Sequence, residues 1–319
     1  MRRVTLAGTG LESSCLGFGC ASLGSRIDAA EGLRALAAAF EQGVDWLDLA
    51  PAYGRGAAET IAADFIRGRR DRLRLCTKVG LAPPRAGGFF AASLVPLARR
   101  AIALAPGLRG AVRRSGAQTN RALPLTPELL TRSLEESLRR LGTDHVDLYA
   151  LHNAGPADVG REEIRRALEE ILAAGKARAV AVASGPETAR VAIGQGAPFS
   201  AVQIALPAPG APADPLPAAR AAGVGVIVHS LFGVEGTLAT LERRIARDSV
   251  TRAEILAAGG SDEPRVALAR LLLARAFALN PEGVALVSMF SPASRAANLA
   301  LADAAIDPAA AALVDRLAV

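Results

Sequence analysis

Eight times along the chain a short apolar run is followed by a longer stretch of helical periodicity, and this alternation constrains the fold more than any other feature. The runs are Leu16–Cys20, Asp45–Ala50, Leu73–Lys78, Val146–Leu151, Ala177–Ala183, Ala201–Ala205, Gly223–Val228 and Val284–Val287. Helices are expected over 29–42, 57–67, 127–141, 161–174, 186–193, 216–222, 264–278 and 293–302, with a further one over 308–317. The punctuation agrees: Asp28 and Thr126 suit N-caps, Pro127 suits a first helical position, and Gly43, Gly142 and Gly175 suit helix stops. Strands that are continuously apolar and separated by helices belong to a parallel sheet buried on both faces. Eight such units over 319 residues predict an α/β protein with a (β/α)8 TIM barrel, one domain spanning 1–319. An open doubly wound sheet would want a Gly-x-Gly-x-x-Gly turn after its first strand, whereas Gly17-Phe18-Gly19 lies inside the strand with no matching third glycine. Val4–Leu11 is expected to form a small N-terminal hairpin closing the barrel floor, and the segment after Val228 a long, mostly polar connection reaching Pro264.

An apolar content of 51% excludes global disorder, and no apolar run is long enough to span a membrane. The first residues do not read as a signal peptide, and Cys15, Cys20 and Cys76 have neither metal spacing nor a disulfide pattern, so a reducing, cytoplasmic setting without a metal is expected. Charge is uneven. Segment 82–125, after the third strand, holds Arg85, Arg99, Arg100, Arg109, Arg113, Arg114 and Arg121 and no acidic residue, which by itself exceeds the chain's net charge of +6. No aromatic-interleaved basic strand or DNA-binding motif accompanies it, so nucleic acid is not the expected partner. The segment reads as a basic insertion at the mouth of the barrel, a lid that favours anionic substrates.

The rarest polar residues stand at strand ends. Only two of 37 basic residues are lysines, Lys78 and Lys176, and there are two tyrosines, Tyr53 and Tyr149. Lysine and arginine are not interchangeable where chemistry needs a compact ammonium. Strand alternation lets Asp48, Lys78 and His152 point inward at the C-terminal ends of three consecutive strands, where barrels of this kind carry function, and Tyr53 follows in the next loop. A phenol has a reference pKa of about 10, and an adjacent ammonium favours its ionised form. A carboxylate beside the ammonium keeps it charged, and a histidine can orient a carbonyl. The set suits proton donation to a carbonyl oxygen as a hydride arrives at carbon. Blander roles fall to Cys76 and Trp46, as inward packing, to His145 as a surface residue, and to Tyr149, packed against helices.

Asp48-Leu49-Ala50-Pro51-Ala52-Tyr53-Gly54, Cys76-Thr77-Lys78-Val79-Gly80 and Val146-Asp147-Leu148-Tyr149-Ala150-Leu151-His152-Asn153 resemble, in order, the three active-site motifs of the aldo-keto reductase family, closest to its bacterial aldose or galactose dehydrogenase-like members. The resemblance implies a nicotinamide cofactor extended across the top of the barrel without a Rossmann domain. It makes Tyr53 the general acid/base, Lys78 the group that lowers its pKa, Asp48 the residue that holds Lys78, and His152 the one that orients the substrate. It also implies that Ser184 and Gln203 hold the nicotinamide amide, that His229 stacks on the ring, and that Ser230-Leu231-Phe232-Gly233 meets the pyrophosphate. Ser288, Ser291, Arg295 and Asn298 fall in the adenosine-phosphate segment.

Departures cluster on the cofactor side: Gly185 replaces an Asn, His229 a Tyr and Leu231 a Pro, and Ser294 takes the usual basic position, with Arg295 one residue on. Arg295 as a 2′-phosphate ligand points to NADP(H) rather than NAD(H). The expected activity is NAD(P)(H)-dependent hydride transfer between nicotinamide and an aldehyde, ketone or aldose by a monomer or weak homo-oligomer. The alternatives are a nicotinamide-sensing regulatory barrel and a partner-binding protein with little turnover.

Overall fold

The computed structural model of the chain describes residues 1–84, 120–232, 237–305 and 308–317. Most of the basic insertion, and with it the expected lid, lies outside the described residues.

Strands β1 (Arg3–Leu6) and β2 (Leu11–Ser14) form an antiparallel hairpin. The barrel strands are β3 (Leu16–Gly19), β4 (Trp46–Asp48), β5 (Arg74–Val79), β8 (Val146–His152), β9 (Ala177–Ala183), β10 (Phe199–Ala205), β11 (Gly225–His229) and β12 (Val284–Val287). They close in that order into an eight-stranded parallel barrel, sealed where Leu286 of β12 lies opposite Gly17 of β3. The expected (β/α)8 architecture is therefore the one observed. Beyond β5, the short strands β6 (Leu81–Ala82) and β7 (Arg121–Ala122) pair antiparallel and bracket the insertion.

Helices form where an apolar stripe can face the barrel. Helix Pro127–Leu141 buries Leu130, Leu134, Leu138 and Leu141, residues three and four apart, so one face packs inward. The Thr126 side chain accepts from the Leu129 N–H, and the helix ends at Gly142 with φ of 67°. Helices Ala29–Glu41 and Glu162–Ala173 repeat the pattern with buried Ala35, Leu36 and Ala39, and Ile164, Ala167, Leu168 and Ile171.

One expectation fails. The connection after β11 holds two helices, Thr237–Ile245 and Ser249–Gly259. Their polar composition hid them, because few residues are buried: Leu241 and Ile245 in the first, Ile255 and Gly259 in the second. These pack with Leu268, Leu271, Leu272, Leu313 and Val314 in a cluster separate from the barrel core. The capping signals were present, since Asp248 caps the second helix and Gly260, at φ 59°, ends it.

The hairpin is tied to the barrel floor through Asp45, immediately before β4. Asp45 Oδ1 accepts from the Ser14 N–H at 2.8 Å and from the Ser14 and Ser13 hydroxyls at 3.0 and 3.1 Å, while Oδ2 meets Arg3. Removing a buried carboxylate strands every donor aimed at it. Asp45→Ala should lower unfolding free energy in urea by about 3 kcal/mol, whereas Asp64→Ala, whose ion pair with Arg67 is exposed, should change it by less than about 0.5 kcal/mol.

Candidate active site

Lys78 sits on β5 with no exposure, and Asp48, at the end of β4, is 3% exposed. An unpaired charge in that setting would be prohibitively costly, so the geometry supplies partners. The Lys78 ammonium donates to Asp48 Oδ1 at 2.7 Å, to the Leu49 carbonyl at 2.9 Å and to Tyr53 Oη at 3.2 Å. An ammonium has three N–H donors, and all three are matched. Tyr53 Oη in turn lies 3.3 Å from Asp48 Oδ2. The His152 ring stands edge-on to that of Tyr53, with centroids 5.9 Å apart. All four expected residues thus meet at the C-terminal ends of β4, β5 and β8.

Two glycines make this approach possible. A Cβ on Gly54 would stand 1.7 Å from the Leu23 carbonyl oxygen, and one on Gly80 would stand 2.6 Å from the His152 carbonyl oxygen. Both have positive φ, 60° and 122°, which glycine adopts without steric cost. Gly54 lets the loop after β4 fold back so that Tyr53 leans over the mouth. Gly80 lets the chain leave β5 against the end of β8.

Burial pulls the Lys78 pKa down, but Asp48, Tyr53 and Cys76 push it further up, and the ammonium stays charged. For Tyr53 several influences compete. Burial and the Asp48 carboxylate raise its pKa above the ordinary range, while Lys78, as expected, pulls it down without reversing the balance. Asp48 offsets the ammonium's charge, which leaves desolvation in control. Burial, with Lys78 and His229, lowers His152 to about 3 despite the opposing pull of Asp48, so its ring is neutral. At neutral pH the site therefore presents a protonated phenol, a charged ammonium and a neutral imidazole.

The remaining predicted residues line the ends of the next four strands. Ser184, just past β9, donates its N–H to the Gln203 carbonyl at 3.2 Å and its hydroxyl to the Ala154 carbonyl at 2.7 Å. Gln203 of β10 is buried, with its Oε1 4.0 Å from the inward-facing Cys76 thiol. His229 ends β11, its Nδ1 2.9 Å from Ser230 Oγ. Ser230 is exposed, and Phe232 packs between the barrel core and the helical cluster. Ser288 is exposed after β12, and Ser291 caps helix Pro292–Asp303, accepting from the Ser294 N–H. Arg295 donates to the Met289 carbonyl at 3.2 Å, and Asn298 is buried on the helix. Gly185 caps helix Pro186–Gln195 with no side chain to offer.

Sequence reasoning missed the Leu49 carbonyl, which no residue type could announce. It also missed the walls of a cavity of about 650 Å³ beside Tyr53, which include Ala21, Ser25, Arg26, Arg55 and Asn120. Of the residues assigned bland roles, Trp46 is fully buried and the Tyr149 hydroxyl donates to the Leu130 carbonyl at 2.8 Å, whereas His145, expected at the surface, is partly buried with its Nδ1 2.6 Å from Asp144 Oδ1.

Lys78→Met should lower stability by about 3 kcal/mol, because Asp48 is left buried and unpaired, and adding Asp48→Asn should restore part of the loss in urea denaturation. Because the folded His152 pKa lies below the unfolded value of about 6.5, the unfolded chain binds more protons between those limits. Stability should be complete above about pH 6.5 and fall as the pH drops toward 3, and His152→Asn should flatten that slope. An unchanged slope would contradict the neutral-ring assignment.

Comparisons with known proteins bear on this geometry. The aldo-keto reductase YhdN of Bacillus subtilis is 31% identical over 190 residues, covering 58% of this chain and 47% of that protein. The chain spans about half the length of the curated relatives it matches. Among solved structures, the holo form of aldo-keto reductase AKR11C1 from Bacillus halodurans superposes with a TM-score of 0.71 at 22% identity, covering 100% of this chain and 97% of the other. An aldo-keto reductase from Klebsiella pneumoniae, solved with NADPH, gives 0.69 at 24% identity over 99% and 95%. These likenesses speak for the fold. The sequence profile of the aldo/keto reductase family matches residues 15–319, and the chain belongs to that family.

Proposed function

We propose that the protein is a nicotinamide-dependent oxidoreductase acting on a small carbonyl compound or its alcohol, an aldehyde, ketone or aldose. The observation that carries this reading is the Tyr53 hydroxyl, within 3.3 Å of both Lys78 and Asp48, on a residue that lines an open cavity. A reduced nicotinamide, when bound, supplies the hydride.

The chain's own groups handle the proton. The neutral His152 ring has an N–H with which to hold a carbonyl oxygen beside Tyr53. Tyr53, kept protonated by burial and by Asp48, donates its proton to that oxygen as negative charge develops there. The phenolate left behind faces the Lys78 ammonium at 3.2 Å, and this contact stabilises it. In the oxidative direction the same phenolate accepts the proton of an alcohol. Asp48 holds Lys78 in place and keeps it charged.

The residues at the ends of β9 to β12 suit a nicotinamide dinucleotide. Ser184, Gln203 and His229 would hold the nicotinamide end, and Ser230 and Phe232 the pyrophosphate. Ser288, Ser291, Arg295 and Asn298 would hold the adenosine phosphate. Arg295 is half-buried and its side chain makes one hydrogen bond among the described residues, to the Met289 carbonyl, so most of its guanidinium donors are open to an anion. That favours NADP(H) over NAD(H), and the NADPH complex of the Klebsiella structure is in keeping with it. The assembled catalytic groups favour turnover over a purely regulatory barrel.

Tyr53→Phe should lower kcat by about 10³-fold in a carbonyl panel while NADPH still binds in a fluorescence titration. Full activity in that variant would sink the mechanism. Arg295→Ala should weaken NADPH by about tenfold and leave NADH binding unchanged, and equal losses for both would remove Arg295 from the 2′-phosphate.

A further inference from the structure

The cavity beside Tyr53 carries a charge pattern that the reduction itself does not use. Its walls are built by the loops after β3 and β4, across the rim from β9 and β10. Among the described residues its charged walls are Arg26 and Arg55, and no carboxylate lines it. Among the described residues Arg26 Nε and Nη2 bond only the neutral Ser22 hydroxyl, at 3.1 and 2.6 Å, which fixes the side chain without cancelling its charge. The Arg55 side chain makes no hydrogen bond or ion pair among the described residues. Deeper in the site Lys78 and Asp48 pair with each other, so the two arginines set the sign of the field at the mouth.

The backbone at Arg55 gives a second, independent observation. Gly54, Arg55 and Gly56 have φ values of 60°, 59° and 94° in succession. Glycine suits such positions, and a long side chain there is strained. An arginine held in the left-handed region between two glycines, at the wall of a reaction cavity, is strain located where a ligand would use it.

We propose that this cavity is an anion-recognising substrate pocket: the carbonyl substrate carries a carboxylate or phosphate that Arg26 and Arg55 hold while its carbonyl reaches Tyr53. Guanidinium groups match the oxygens of either anion in a bidentate fork. The inference names the substrate class of the reductase reading and rests on it for the position of the reacting carbonyl.

Matched aldehydes test it at low ionic strength with NADPH: 4-carboxybenzaldehyde against methyl 4-formylbenzoate, and glyceraldehyde 3-phosphate against glyceraldehyde. At least one anionic member should exceed its neutral partner in kcat/KM by about tenfold or more, and the winning pair tells carboxylate from phosphate. Arg55→Gly, which suits the local φ, and Arg26→Gln should each collapse that ratio toward one through KM, and added salt should do the same. Equal efficiencies in the wild type, or substitutions that leave the ratio unchanged, overturn the proposal. Calorimetric titration of cofactor-free protein with the same anionic aldehydes separates the two readings. Saturable binding lost in the double variant upholds the pocket even if no aldehyde is turned over, in which case the reductase reading fails. Absence of saturable binding overturns the pocket even if neutral aldehydes are reduced.

Discussion

The structure turns on one buried charge. Lys78 has no solvent, so its ammonium is tolerable only if each N–H finds an acceptor. Two of the three acceptors, Asp48 and the Leu49 carbonyl, are consecutive at the end of β4, and the third is the hydroxyl of Tyr53 in the loop that follows. Satisfying the charge therefore fixes where β5 stands against β4 and where the loop turns. Arginine would not serve, since its planar fork cannot direct three donors from one small centre. The pair is a poor source of net stability, as buried ion pairs generally are, and the surrounding apolar barrel offsets its desolvation. What it contributes is a unique position for the phenol.

The outer faces of the same strands are held by further buried carboxylates. Thr77, next to Lys78 and pointing the other way, donates to Glu59 Oε1 at 2.6 Å, and Glu59 Oε2 accepts from Arg140 at 2.7 Å. Asp147 of β8, fully buried, accepts the Leu75 N–H of β5 at 2.8 Å and pairs with Arg70 and with Arg178 of β9. β5 and β8 thus carry a site group on their inner face and a helix- or strand-linking carboxylate network on their outer face. Alternation along a strand makes this division possible: inward residues form the candidate site while their neighbours set strand position.

The barrel was legible because burial on both faces leaves an unbroken apolar run, and Gly, Pro and capping residues mark where each run and helix ends. Lys78 and Tyr53 were legible through scarcity. Arg26 and Arg55 were not, since an arginine has no contrast in a chain with 35 of them; only the cavity and the left-handed backbone single them out. The helices over 237–245 and 249–259 escaped because their apolar residues are too few to show a period until the cluster they share with Leu268 and Val314 is seen. The pull of Lys78 on the Tyr53 proton was legible, and the opposing effect of burial was not. Proximity to an ammonium is readable from strand ends, but the depth of burial that overrides it is a property of the whole barrel.

The pairing of β6 with β7 has an evolutionary consequence. Leu81 lies opposite Ala122 and Ala82 opposite Arg121, so the chain leaves the barrel and re-enters it at neighbouring points. The entropy of closing a loop whose ends are already joined grows slowly with length, by about 0.6 kcal/mol for each doubling. A sequence of another length or charge can be spliced between those two strands without disturbing β5 or the helix that begins at Pro127. The barrel thereby separates the candidate site at its mouth from a segment of sequence that can be exchanged independently.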